Sequence, residues 1–502
     1  MAIKVSGTEV ISDSRALNNI ASIDATTAAS INAAGVGGGA THQATASGAL
    51  ANGDLVIVNS DGTVSVVEAE VSVTSGTPEV FRGSEVIFLS SAYDAQNDKF
   101  VVVYRDDNNS SYGTAVVGTV SGTSISFGTP VVYYSARSNY NSATFDSVNN
   151  KIIVFFQDAS GSVRGIVGTV SGTSISFGSN AQMTGANTYY TACDFDTASG
   201  KAVVVFRNLD SNDEGNAVVA TVSGTSISAG SPVTFSSGIM DYPAVSYDSN
   251  ANKTVISYRD AGNSNYGTAR VGTVSGTSIS FGSAVTFHAV ECRYVASTFD
   301  SDNNKVVIAY GNNSNSGYAT AVVGTVSGTS ISFGTPVVYN SVAADNATIS
   351  AVYDTKGKKP VLSNKNIAAV GTVSGTAISF SSPHTFETGN ATYLTSCFDS
   401  TSGQVINSYQ DTSNSRSGTS VTINVKTTNL TSTNYIGISD GAYSDAATAT
   451  VQVAGAVDDA QSGLTAGQAY YVQVDGTLDT TPDDLSVFAG TAVSATEIIV
   501  KG

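Results

Sequence analysis

The chain has 502 residues, of which 41% are hydrophobic, only 12% are charged, 49 are Gly and none is Trp. With 23 Tyr and 19 Phe it can bury a sizeable core, which excludes wholesale disorder. A net charge of −18 excludes the electrostatic attraction on which nucleic-acid binding depends.

No apolar run approaches the ~18–20 residues that cross a bilayer, so membrane insertion is not expected. The opening MAIKVSGTEV lacks the basic and apolar regions of a signal peptide, so secretion by the usual route is not expected either. Within residues 1–40, Asp24 or Thr26 is placed to cap a short Ala-rich helix that Gly35 and the following glycines end. So short a helix needs a neighbour to be stable. Residues 41–70 contain NGDLVIVNSDGTVSVV, read as a hairpin turning at Ser60-Asp61-Gly62.

A repeat then takes over. The element VSGT starts at Val120, Val170, Val222, Val274, Val326 and Val373, at intervals of 50, 52, 52, 52 and 47 residues. Each unit opens on a segment ending in an aromatic residue and Asp; the aspartates are Asp94, Asp146, Asp196, Asp248, Asp300, Asp354 and Asp399. An Asn/Ser/Gly turn, an alternating run such as KFVVVYRD, a polar loop, a run such as TAVVGTV, an SGT turn and a last run such as SISFGTPVVY complete it. Short alternating runs between such turns predict strands, four to a unit, which is a propeller blade. The seventh unit stops before its last strand, while a matching strand, VTSGTPEVF at Val73 to Phe81, precedes the first. The expected fold is therefore all-β: a seven-bladed propeller over residues 71–428, closed by pairing its two ends, which removes exposed sheet edges. A β-solenoid, which needs no shared strand, is the alternative. Residues 429–502 return to the style of residues 41–70, with a second D-G-T turn in YVQVDGTL, and the two stretches are expected to form one small β module.

Comparing the units separates two loop faces. On one, the SGT turn recurs almost unchanged and is geometric. On the other, loops such as DDNNSSYG and HAVECRYVA vary and collect Tyr, Asn, Asp and Arg, a chemistry suited to glycans and protein partners. The candidate binding residues are Arg105, Tyr112, Arg137, Tyr140, Tyr189, Tyr190, Tyr242, Arg259, Tyr266, Arg293 and Tyr294. A solvated loop face is the plain alternative.

Catalysis finds little support. A glycosidase needs two carboxylates ~5–9.5 Å apart in a pocket, whereas the aromatic–Asp aspartates are repeated members of a ring. Asp106, Asp158, Asp260 and Asp411 at the ends of second strands are repeated too. Arg105, Arg207 and Arg259 suggest a carboxylate clamp, but the S-x-D-x-G-x-T-W box of sialidases is missing. His42, His288 and His384 are scattered; Cys193, Cys292 and Cys397 lie far apart, with the spacing of buried residues and not of a disulfide or zinc set. The run Asp210 to Gly215 (DSNDEG) matches a calcium loop only loosely, and no nucleotide-binding motif occurs, so no cofactor or metal is expected.

The flanks carry a resemblance. KVSGTEVISDSRALNNIASIDATTAASINAAG, ANGDLVIVNSDGTVSVV and GLTAGQAYYVQVDGTLDTTPDD…AGTAVSATEIIVKG resemble the ends of structural proteins of tailed bacteriophages, particularly tail-fibre and related virion proteins of marine phages. The resemblance implies a virion protein assembled in the host cytoplasm. Residues 1–40 would contact other virion proteins, a homotrimer would form, and the propeller would be displayed toward a host-surface glycan or protein. It supplies no catalytic residues. A non-adhesive virion decoration protein and, more remotely, a glycan-cleaving enzyme are the competing readings.

Overall fold

The computed structural model describes residues 3–5, 8–11, 41–69, 71–344, 349–483 and 485–501. The helix expected between Asp24 and Gly35 lies outside the described residues. The chain divides into two compact units, residues 1–70 with 427–502 and residues 71–426. Both are built of antiparallel β-sheet, and no α-helix occurs among the described residues.

In the smaller unit the two chain ends share a sheet. Its strand order is Thr41–Thr45, Thr448–Gln452, Tyr435–Ser439, Leu55–Val58 and Val64–Val66. A second five-stranded sheet comes wholly from residues 457–500. Leu55, Ile57, Ile438, Val472 and Ile498 join both sheets in one apolar core. The turn between Leu55–Val58 and Val64–Val66 is closed by Asn59 N–H donating to Thr63 O (2.8 Å), and the Asp61 carboxylate accepts from the Thr63 amide (3.0 Å).

In the larger unit each repeat folds as one twisted sheet. The second repeat shows the order: Asn139–Asp146, Lys151–Gln157, Val163–Ser171, then Ser174–Phe177, with Ala181–Gln182 returning to the third strand. The second strands differ from the alternation expected of them. In Lys99–Asp106, residues Phe100 to Tyr104 are buried without a break. The cause is that neighbouring sheets pack on both faces: Val203, Val205 and Val219 of the third repeat meet Val245, Ile256 and Tyr258 of the fourth. First strands touch in succession around the unit, and Ala391–Asp399 packs back on Glu79–Asp94, closing a ring.

Closure is made by the chain's own ends. Ser72–Ser75 pairs with the last strand, Ser417–Lys426, in the register Ile423 with Ser75 and Lys426 with Ser72. Glu79–Asp94 pairs with that strand through its first half and with Lys99–Asp106 through its second.

Two recurrent elements set the geometry. Each aromatic–Asp carboxylate is buried and caps the following turn; Asp146 accepts from the amides of Val148 (3.0 Å) and Asn149 (2.9 Å) and from Asn149 Nδ2 (2.8 Å). Asp94, Asp248, Asp354 and Asp399 do the same with their own turns. In the SGT hairpins, Ser121 faces Ser124 across Gly122, whose φ of 60° belongs to the left-handed region that a two-residue hairpin with Gly first requires. The glycine after SISF serves the seam between repeats. A Cβ at Gly128 would overlap the Thr173 carbonyl oxygen of the next SGT turn, and Gly76, Gly178, Gly230, Gly282 and Gly334 approach Thr123, Thr225, Thr277, Thr329 and Thr376 in the same way.

The three cysteines are single thiols; Cys292 and Cys397 are buried, and burial pushes all three up to about 12. Asp194, on a first strand, accepts from the amides of Phe195 and Tyr247 (both 2.8 Å), yet burial still pushes its carboxyl up to about 6. Burial raises Asp354 to about 6 as well.

Two outcomes follow for stability. Gly276→Ala meets open space at φ 62° and should cost about 1–2 kcal/mol from backbone conformation alone. Gly282→Ala must displace a backbone carbonyl and should cost about 3 kcal/mol or more in urea unfolding; equal losses would contradict the seam assignment. The folded state holds the Asp194 proton more tightly than the unfolded chain. Its contribution is therefore complete below the ordinary carboxyl value of 3.8 and is lost as pH rises through about 6. The fall in Tm between about pH 4 and about pH 7 should be shallower in Asp194→Asn, and an unchanged slope counts against this assignment.

Candidate functional site

The first strands deliver an aromatic residue six positions before the capping Asp: Phe88, Tyr140, Tyr190, Tyr242, Tyr294 and Tyr393. In the sixth repeat the corresponding position lies outside the described residues. Because the rings enter at one end of strands rising ~3.3 Å per residue, they sit ~20 Å from the turn-capping aspartates. Each ring stacks on its neighbour. Centroids are 4.7 Å apart for Phe88–Tyr140, 5.3 Å for Tyr140–Tyr190, 5.2 Å for Tyr190–Tyr242, 4.8 Å for Tyr242–Tyr294 and 5.5 Å for Tyr393–Phe88.

Together they line an axial pocket of about 400 Å³, with Leu89, Asn141, Pro243, Val295 and Leu394 as its floor. All six aromatics are half-buried and hold φ between 47° and 54°. Left-handed backbone costs an L-residue ~1–2 kcal/mol, and bulky residues there mark a conformation that the surroundings impose. Here the first strand bulges against the second between positions seven and four before the Asp, as at Asp241 and Ala244, which turns the ring inward. Burial raises the phenols of Tyr140, Tyr190 and Tyr393, so the pocket wall is neutral.

Behind the rings lies a band of paired charges. Arg105 stacks 5.2 Å from the Phe88 ring centre while donating to Asp107 (2.5 Å) and to Asn139 of the next repeat (2.6 Å). Arg259 lies 5.0 Å from the Tyr242 ring and donates to Asp241, which also accepts from Arg207 of the preceding repeat (2.6 Å). Gln410 Nε2 likewise reaches Val86 O across the closing seam (2.7 Å). Burial pushes the Asp107 carboxyl up, but hydrogen bonds and charge from Arg105, with Ser111 and Arg137, outweigh it and leave it below the usual range. Arg293, its side chain 42% exposed, pairs with Glu291 (2.8 Å), which holds that carboxyl low.

The sequence candidates thus separate. Tyr140, Tyr190, Tyr242 and Tyr294 line the pocket. Tyr189 is 42% exposed beside Tyr140 and Tyr190, and Arg137 is exposed near Asn139. Arg105 and Arg259 are mostly covered; Arg105 ties its repeat to the next through Asn139, Arg259 pairs with Asp241 of its own repeat and reaches Glu291 of the next at 3.9 Å, and Arg293 sits at the rim. Tyr112 and Tyr266 begin third strands, pair with Arg137 and Glu291 respectively, and do not line the pocket. Sequence reading omitted Phe88 and Tyr393, although the constant offset of six residues to the Asp would have found both.

Other polar candidates have structural partners. His288 Nδ1 meets Tyr310 Oη (2.7 Å) and His384 Nε2 meets Ser75 Oγ (3.1 Å). In DSNDEG, Asp210 accepts from the Asn187 amide, Asp213 pairs with Arg207, and Glu214 accepts from Ser211. Among the described residues no group of three His, Cys, Asp or Glu is placed to hold a metal ion.

No protein-family model matches the chain, and no curated protein matches it significantly in sequence. Among solved structures, the chain is similar to the BP39L lectin from Burkholderia pseudomallei, with a TM-score of 0.52 and 13% identity over 66% of this chain and 94% of that one. AofleA from Arthrobotrys oligospora (TM-score 0.41, 9% identity, 65% and 92% covered) and a protein of unknown function from Dyadobacter fermentans (0.43, 12%, 70% and 99%) are more distant. As the likeness to BP39L shows, the sheets form an all-β, propeller-like ring.

At a left-handed position Gly outranks Ala. Tyr242→Gly should therefore be more stable than Tyr242→Ala by about 1 kcal/mol, the reverse of the order in ordinary strands. Thermal unfolding of the two variants reads this directly.

Proposed function

We propose that the chain is a virion protein of a tailed bacteriophage, a tail fibre or adhesin whose closed seven-bladed propeller attaches to a host-surface glycan through the aromatic axial pocket. The observation that carries the binding reading is the pocket itself: six stacked aromatics around an axial opening on the variable loop face. Aromatic walls with a few convergent polar groups suit the apolar faces of sugar rings, and without Trp that role falls to Tyr and Phe. Interplanar angles of 50°, 56°, 52° and 49° at four successive ring pairs agree with the turn of about 51° that seven-fold repetition gives, while the Tyr393–Phe88 pair stands at 69°. The similarity to a lectin is consistent with binding, and the resemblance of the flanks to phage structural proteins supports the virion assignment. In this reading residues 1–40 and the small β module face other virion proteins, and a homotrimer multiplies weak contacts into avidity.

Binding without turnover is proposed because the acids nearest the pocket, Asp107, Asp241 and Glu291, are each engaged by arginine, and the repeated aspartates cap turns. A glycosidase acid with a raised pKa beside a free carboxylate has no counterpart there.

The test uses purified protein on immobilised bacterial surface polysaccharides before and after periodate oxidation. Binding should vanish after periodate, and Tyr190→Ala with Tyr242→Ala should weaken it roughly tenfold or more while the ring stays folded. Binding that survives periodate and the double substitution would overturn the glycan reading, and release of reducing ends would replace it with hydrolysis.

A further inference from the structure

The seams between repeats hold a second feature that does not involve the axial pocket. Near the loop-face end of each seam, one residue of the outer strand faces the second strand of the next repeat. Strand registers place Arg82, Tyr134, Thr184, Ser236, His288, Asn340 and Glu387 at this position. At most seams it is filled and tied: Arg82 pairs with Asp106 (3.0 Å), Tyr134 packs on Phe156 (4.9 Å), His288 bonds Tyr310 and Glu387 accepts from Tyr409 (2.8 Å).

Between the third and fourth repeats the position is Ser236, a small residue, and a pocket of about 210 Å³ opens there. It is lined by Thr234, Ser236, Tyr258, Asp260, Arg270 and Ala284, among others. Arg270 breaks the repeat. The aligned third-strand positions hold Val116, Ile166, Val218, Val322, Ala369 and Val421, all buried. Arg270 is itself half-exposed and lines the pocket, but its Nε is buried without a hydrogen-bond partner, which has a desolvation cost. Arg82, Arg105, Arg164, Arg207, Arg259, Arg293 and Arg416 all have a carboxylate within ion-pair distance. Asp260 shares the Arg270 pocket; burial pushes its carboxyl up, against the pull of the nearby Gly262 and Asn263 amides and of the Arg270 charge, and it forms no ion pair with Arg270.

A donor and an acceptor held apart in one small pocket match a ligand that does both at once. A simple anion would satisfy Arg270 but meet the Asp260 carboxylate. A cation would meet the reverse. Adjacent hydroxyls on an uncharged ring can donate to Asp260 and accept from Arg270, with the Tyr258 hydroxyl and Ser236, whose Oγ donates to Gly238 O (3.3 Å), at the side. We infer that the seam between the third and fourth repeats is a second binding site, taking one uncharged pyranose whose neighbouring hydroxyls bridge Arg270 and Asp260.

The test is titration of the full chain with methyl α-D-mannopyranoside, methyl α-D-glucopyranoside and methyl β-D-galactopyranoside, with sodium acetate as the anionic control, followed by ligand-observed NMR. At least one glycoside should saturate in the millimolar range. Arg270→Val introduces the residue that four of the other six repeats hold there, so it should fold at least as stably and lose binding roughly tenfold or more. Ser236→His, the residue of the next seam, should fill the pocket and abolish binding, whereas Tyr190→Ala with Tyr242→Ala should leave it unchanged. Saturation by acetate alone, binding that survives Arg270→Val, or no saturation by any glycoside overturns the assignment. Loss only in the tyrosine variant would instead place the sugar in the axial pocket.

Discussion

The contact on which the ring depends is a backbone one: an alpha carbon without a side chain held against the threonine carbonyl of the next SGT turn. Gly128 against Thr173 and its counterparts bring adjacent sheets close enough for their apolar faces to interlock. The first of the series, Gly76, lies before the repeats and meets Thr123, while Thr422 of the last strand donates to the same carbonyl (2.8 Å). Closure of the ring thus uses the same contact as its interior. The one departure is informative. The sixth repeat has Ser381 after its AISF strand, and the seventh repeat, which follows it, has no SGT turn to approach.

Because this contact and the capping aspartates are repeated, they can be assigned to architecture, and what departs from the repeat becomes the place to look for function. The variable loop face holds acids and arginines in abundance, yet most neutralise one another within a repeat, as Arg164 does Asp158 and Arg293 does Glu291. Arg105 with Asn139 fastens the first sheet to the second, and Arg207 with Asp241 the third to the fourth, behind the axial rings. Their covered side chains keep the aromatic positions in place, including a backbone conformation that the rings would not adopt unaided. Arg270 is the opposite case, a charge set among core valines with its buried nitrogen unanswered by the protein.

Much of the all-β organisation was legible in the sequence because it depends on local chemistry. Gly at the SGT turn, Asp before an Asn/Ser turn and short apolar runs specify hairpins irrespective of their surroundings. The second strands were read as alternating runs, whereas the uninterrupted FVVVY of Lys99–Asp106 reflects burial on both faces, which neighbours impose. The glycine of SISFG was passed over for the same reason: its φ is ordinary, and its necessity lies in a carbonyl about fifty residues away.

The site divides along the same line. Tyr140, Tyr190, Tyr242 and Tyr294 stood out by composition in variable loops; Phe88 and Tyr393 share their six-residue offset to the Asp, but what that offset means shows only when the ring brings these residues to one axis. Arg105 and Arg259 look like ligands in sequence and become ties in space, because sequence shows a charge but not the carboxylate that folding places beside it. What the chain determined by itself was strand, turn and period, each a matter of a few neighbouring residues. What only the tertiary structure decided was which faces are covered, which charges are spent, and which rings meet, since these depend on distances between residues that the chain holds far apart.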